Sequence, residues 1–160
     1  MITINKIISA VSRALCETFG DEYTYYAEEV KQGLKEPCFF ISCISPKDRL
    51  LIGNFNSQVL GKRYYRQNRF CIQYFPESKT RGREESYDIA EQMCLCLEML
   101  ECDGNLLRGT DMGYEFVDGV MSFFINYNYF VYVTREPTFM GEIKNNVALA
   151  DTVGAKTSER

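Results

Sequence analysis

Histidine and tryptophan are both absent from this 160-residue chain. Without imidazole, a Ser-His-Asp triad, a Cys-His pair, a histidine metal ligand and a histidine pH switch are excluded. No C-x-x-C occurs among the seven cysteines, Cys16, Cys38, Cys43, Cys71, Cys94, Cys96 and Cys102. A zinc site wants thiolates in short regular pairs, and on a helix Cys94 and Cys96 would point about 200° apart. The cysteines therefore read as small buried apolar residues of a reducing compartment, with no metal and no cofactor expected. No apolar run approaches the roughly 18 residues that a membrane-crossing helix needs, so no membrane partner is expected. Residues 1–19 carry polar side chains inside their apolar pattern; no signal peptide is expected, and the chain is expected to be made and kept in a cytoplasm. Positive charge is not in excess either. A net charge of −4 and a pI near 5.0 argue against a protein whose main task is wrapping nucleic acid, although a local basic patch is compatible with them.

What is present is a long β-hairpin. Residues 114–133 read YEFVDGVMSFFINYNYFVYV, and Asp118-Gly119 is a two-residue turn signal because both central residues of a type I′ turn need positive φ. Folding there sets Val117 against Val120, Phe116 against Met121, Glu115 against Ser122 and Tyr114 against Phe123. One face then carries Met112, Tyr114, Phe116, Met121, Phe123, Ile125, Tyr127, Tyr129, Val131 and Val133, and a slip by one residue would exchange the faces. The strand is built for packing and pairing and offers no reactive group.

The rest of the chain fits around it. Thr3 is placed to cap a first helix with Ile4, Ile7, Ile8, Val11, Ala14 and Leu15 at helical spacing. Residues 23–27 predict a short strand, and residues 38–44 (CFFISCI) a strand covered on both faces. Residues 46–61 read as an irregular loop with apolar side chains, either a surface awaiting a partner or a hairpin loop folded back on its own sheet. Residues 64–75 predict a strand with Phe70, Ile72 and Tyr74 facing one way and Arg69, Cys71 and Gln73 the other. A second helix is expected over residues 84–101, ended by Asp103-Gly104-Asn105. The sum is an α+β fold in the order α-β-β-β-α-β-β, two helices on a mainly antiparallel sheet, at a size that supports a real core in one domain. After Pro137 the composition turns to Thr, Gly, Asn and Ala. Alone, residues 137–160 would not hold a structure, and a neighbouring subunit is the expected restraint on this C-terminal arm.

Candidate chemistry is sparse. Glu28-Glu29 and Glu84-Glu85 are not placed by sequence so that one carboxyl is held neutral beside an ionised one, so no general acid or base and no enzymatic activity are expected. GNLLRG at residues 104–109 has no Lys-Ser/Thr ending of a phosphate loop and reads as a turn that brings a strand close under the second helix. The segment GKRYYRQNRF at residues 61–70 interleaves basic and aromatic residues. Three readings stay open for it: a subunit interface, a solvated strand edge, or a small nucleic-acid-binding module in which rings stack on bases and Lys62 to Arg69 track phosphates.

Taken together, ITINKIISAVSRAL, YTYYAEEVKQGLKEPCFFI, RYYRQNRFCIQYFP, DGNLLRG and YEFVDGVMSFFINYNYFVY resemble the tail terminator (tail completion) proteins of phages and prophages of Gram-positive bacteria and of phage-tail-like bacteriocins. The resemblance spans residues 1–136 and implies a structural virion protein, assembled in the bacterial cytoplasm and located at the head end of the tail. It implies a homo-oligomeric ring, a hexamer, that caps the tail tube protein and, in a contractile tail, the sheath protein. Such a ring stops polymerisation and faces the head–tail connector protein; DNA passes through it without specific binding. A ring needs two different patches per subunit. One is expected on Arg63, Tyr65, Arg66, Arg69 and Gln73, the other on the charge-complementary segment with Glu28, Glu29, Lys31 and Glu36. Leu51, Ile52, Phe55 and Val59 are expected to touch the tube.

Overall fold

The computed structural model describes residues 1–28, 33–52 and 61–134. Its elements are α1 (Ile4–Phe19), β1 (Thr24–Ala27), β2 (Cys38–Ile52), β3 (Gly61–Phe75), α2 (Gly82–Cys96), β4 (Met99–Cys102), β5 (Asn105–Val117) and β6 (Val120–Thr134). The strands lie in the order β1-β2-β3-β6-β5-β4. All neighbours are antiparallel except the parallel pair β1–β2. This is the expected α+β class, with one strand more than the sequence reading placed. The arm at residues 137–160 lies outside the described residues, as do Glu29, Lys31, Phe55 and Val59.

The hairpin register follows from its turn. Asp118 and Gly119 sit at φ 53° and 80°, and Val117↔Val120, Phe116↔Met121, Glu115↔Ser122 and Tyr114↔Phe123 face each other as expected. A bulge at Asp111 and Met112 then shifts the register, and Asp111 takes φ 53° there. Such a bulge bends a strand. It lets β5 leave β6 after Gly109↔Tyr127 and pair instead with β4.

Helix α1 starts as its sequence dictates, with the Lys6 N–H donating to Thr3 Oγ1 at 3.2 Å, and ends at Gly20 with φ 87°. It buries Ile7, Ile8, Ala10, Val11 and Leu15. The second helix is shorter than expected. It stops at Cys96, where the Leu97 N–H caps back to the Met93 carbonyl, and Met99–Cys102 form strand β4 rather than a last helical turn. The cause is Asp103-Gly104, at φ 54° and 77°. This is the same hairpin turn signal as Asp118-Gly119, and it commits the residues on either side to pairing. Leu100 and Cys102 face inward while Met99 and Glu101 face out.

GNLLRG does bring its strand close under α2. The Gly109 N–H donates to the Glu98 carbonyl at 2.7 Å, and a Cβ at Gly109 would lie 2.7 Å from the Leu97 carbonyl oxygen. One core cluster joins both helices to one sheet face through Phe39, Ile41, Phe70, Ile72, Tyr74, Phe123, Ile125 and Tyr127. Residues 46–52, expected in an irregular loop, instead continue β2 antiparallel to β3, with register shifts at Cys43/Ser45 and Leu50/Ile52. Pro46 is tolerated there because nothing among the described residues pairs with that side of the strand.

Candidate assembly surface

Past the N-terminus of α1, where the Tyr129 hydroxyl donates to the Ile2 carbonyl at 3.4 Å, the strands β2, β3 and β6 run on as a three-stranded ribbon. It comprises residues 46–52, 61–68 and 128–134. Its large apolar side chains stand in solvent: Leu50 is 44%, Phe130 55% and Tyr132 66% exposed. Lys47, Arg49, Lys62, Arg63 and Arg66 give it five basic residues against the single acid Asp48, in a chain whose net charge is −4.

The face turned away from the helices is organised in rows of three. Register places Arg49, Tyr65 and Phe130 side by side, then Lys47, Gln67 and Asn128, then Ser45, Arg69 and Asn126. Strand alternation puts Arg63, Tyr65, Arg69 and Gln73 on this one face. The Arg63 guanidinium lies 4.3 Å from the centre of the Phe130 ring, which packs 5.0 Å from Tyr65. Arg49 lies 6.0 Å from Tyr65. A cation over a ring face is attracted by its quadrupole, so the stack of arginines and rings is held open toward solvent in a defined shape.

Not every expected interface residue is free to reach a partner. Arg66 points to the opposite face, where its Nε and Nη2 donate to the Asp48 carboxylate at 2.7 and 2.8 Å. That fork holds the Asp48 carboxyl below its usual range, against the opposing effect of burial. Arg69 Nη1 donates to Asn126 Oδ1 at 2.8 Å and to Asp111 Oδ2 at 3.2 Å, which ties β3 to the bulge in β5. Glu28, at φ 57°, accepts the Cys43 N–H at 3.1 Å. Glu36 is paired with Lys79. The two described members of the expected acidic patch are therefore engaged inside the subunit. Of the expected tube-contact residues, Leu51 is described and is 40% exposed near the end of β2, while the backbone of Ile52 lies opposite Arg63. The residues that the sequence reading missed are Phe130 and Tyr132, which alternation alone assigns to a packed strand.

Burial raises the thiols of Cys38, Cys43, Cys71, Cys94, Cys96 and Cys102, that of Cys38 to about 11, so they stay protonated and weak as nucleophiles or ligands. Among the described residues no group of three or more acidic or thiol side chains is placed to hold a metal ion, and no helix is long and apolar enough to cross a membrane.

The chain presents a sheet that exposes an aromatic, basic ribbon. Its family is specific: a model of phage tail terminator proteins matches residues 6–138. The chain belongs to the phage tail terminator family and is a structural protein of the virion tail. No curated protein matches its sequence. Among solved structures, a chain from the virion of a native gene transfer agent particle aligns at 10% identity and a TM-score of 0.45, over 76% of this chain and 91% of its own. Another aligns at 10% identity and a TM-score of 0.41, over 87% of this chain and 100% of its own.

Proposed function

We propose that copies of this chain close into a hexameric ring on the last ring of the tail tube and stop its growth. The ring covers the sheath end where the tail is contractile, and presents its other side to the head–tail connector. Family membership supports the terminator role, and the observation that carries self-assembly is the ribbon, whose apolar side chains are 40% to 66% exposed at Leu50, Leu51, Phe130, Tyr132 and Val133. Phe130 and Tyr132 on one face, and Leu50 and Val133 on the other, leave uncovered apolar side chains on both faces of the ribbon, which suits burial by a partner. Leu51 and Ile52, with Phe55 and Val59 after them, are the tube contact, and residues 138–160 lie along a neighbour.

In this role the protein makes and breaks no bond. Electron microscopy of the purified chain, alone and mixed with tail tubes, tests it: closed six-fold rings that seat on tube ends are expected. Single particles that ignore tube ends overturn it. Removing residues 138–160 is expected to leave the fold intact and to cost ring formation or attachment. The rival reading, a nucleic-acid-binding module, is weakened because Arg66 and Arg69 already hold Asp48 and Asp111. Steeply salt-dependent retention on single-stranded DNA would revive it.

A further inference from the structure

A sheet edge with bare N–H and C=O groups is a template for another strand, and soluble chains blunt such edges with charge, proline or short length. The ribbon has two of them, on opposite sides. Along β2, pairing with β1 stops at Ala27↔Ile41, and the Glu28 carboxylate takes the next available N–H, that of Cys43. Beyond it, no described strand lies on that side of residues 45–52. Along β6, pairing with β5 stops at Gly109↔Tyr127, and residues 128–134 pair with β3 alone among the described residues.

The two edges differ in chemistry. That of β2 carries Pro46, Lys47, Asp48 and Arg49, whereas NYFVYVT on β6 has no charge and no proline. Its rings are its exposed feature, Phe130 at 55% and Tyr132 at 66%.

We propose that β6 of one copy adds to β2 of the next, so that the two ribbon edges form the subunit seam. The occupant of each edge is a second copy of this chain, and the inference rests on the reading of the chain as a self-assembling ring. Both strands run antiparallel to β3 and therefore parallel to each other, so repeating the ribbon from copy to copy makes the seam a parallel ladder. Charge selects this pairing over the alternatives. A β2–β2 contact sets Lys47 and Arg49 near their own copies, where like charges repel. A β6–β6 contact leaves the arginines of both copies outside. The β6–β2 seam brings Arg49 of one copy toward Phe130 and Tyr132 of another, extending the stack in which Arg63 already lies 4.3 Å from Phe130. It is also heterologous, as ring closure requires.

Two variants test it. Phe130→Lys with Tyr132→Lys spoils the β6 edge and leaves β2 intact; Arg49→Glu with Leu51→Glu does the reverse. Light scattering is expected to give a multi-subunit mass for the wild type and the mass of one subunit, 18.5 kDa, for each variant alone. An equimolar mixture is expected to gain mass, to two subunits or more, because the intact β6 edge of one variant meets the intact β2 edge of the other and the Lys-bearing and Glu-bearing edges attract. Circular dichroism confirms that each variant is folded; should a double variant unfold, Tyr132→Lys and Arg49→Glu singly are judged by the same criteria. Folded variants that assemble like the wild type, or a mixture that stays at one subunit, overturn the seam and leave the ring standing. A wild type that is a single subunit at every concentration overturns both.

Discussion

Along β2, β3 and β6, the half under the helices and the half beyond them use similar side chains to opposite ends. Phe39, Ile41, Phe70, Ile72, Phe123 and Ile125 are all at 0% exposure under the helices. Leu50 further along β2, and Phe130, Tyr132 and Val133 further along β6, lie between 44% and 66%. The difference comes from length. A strand of 15 residues such as β6 spans about 50 Å at the usual rise, and a helix of 16 residues such as α1 spans about 24 Å. Among the described residues no helix is long enough to cover the sheet from end to end. The lesson is that apolar alternation marks a strand made to be covered and leaves unstated what covers it: the chain's own helices in one half and, in the proposed ring, a neighbouring subunit in the other.

The sharpest way to break this contrast is to truncate one ring in each half. Phe123→Ala is expected to cost about 3–5 kcal/mol, the range for emptying a packed aromatic site. Tyr132→Ala is expected to change the stability of the isolated subunit by no more than about 0.5 kcal/mol, as for most exposed positions. Urea unfolding checks both, at a concentration low enough that assembly does not add to apparent stability. Equal losses would mean that the two halves are one cooperative core.

A smaller effect is expected where the covered half closes on itself. Gly109→Ala places a methyl 2.7 Å from the Leu97 carbonyl and 2.5 Å from the end of Ile125. The side chain can turn aside, but the carbonyl is held by the Tyr127 hydroxyl at 2.6 Å. A loss of about 1–3 kcal/mol is expected, as for other overpacked sites. Gly113→Ala is the control on the same strand. Nothing lies within 4 Å of the added methyl, so its melting temperature should stay within a degree or two of wild type, and a comparable drop would show that β5 resists any side chain.

Much of the covered half was legible in the residues. Asp118-Gly119 fixed a register, Thr3 started a helix, and the alternation of Phe70, Ile72 and Tyr74 named a core face. Two misreadings have physical causes. Asp103-Gly104 carries the same turn signal as Asp118-Gly119, yet beside a run of helix-compatible residues it read as a helix stop, so β4 was missed. Pro46 read as the start of a loop because proline breaks a strand that is paired on both sides, whereas the edge of β2 tolerates it. The candidate site was half legible. Arg63 and Tyr65 share a face by alternation, but that Arg66 is tied to Asp48, and Arg69 to Asp111, depends on the strand order, with β2 beside β3 and β5 one strand further on across β6. No local pattern states that.

The smallest expected effect sharpens the contrast from the uncovered side. The fork from Arg66 holds the Asp48 carboxyl below its ordinary value. A carboxylate with a lowered folded pKa stabilises the fold above its unfolded pKa and loses that contribution as pH falls through the folded one. The side chains are 42% exposed at Asp48 and 23% at Arg66, so solvent screening limits the contribution to a few tenths of a kcal/mol, about 0.3–1. Asp48→Asn is therefore expected to be slightly less stable than wild type at pH 7, with the gap closing below about pH 4, where the wild-type carboxyl takes up its proton. Paired denaturation curves from pH 7 to pH 2 measure it. A gap that stays constant across that range would show that Asp48 holds the ribbon by shape alone, and the uncovered half would then owe its order to strand pairing and ring stacking without help from charge.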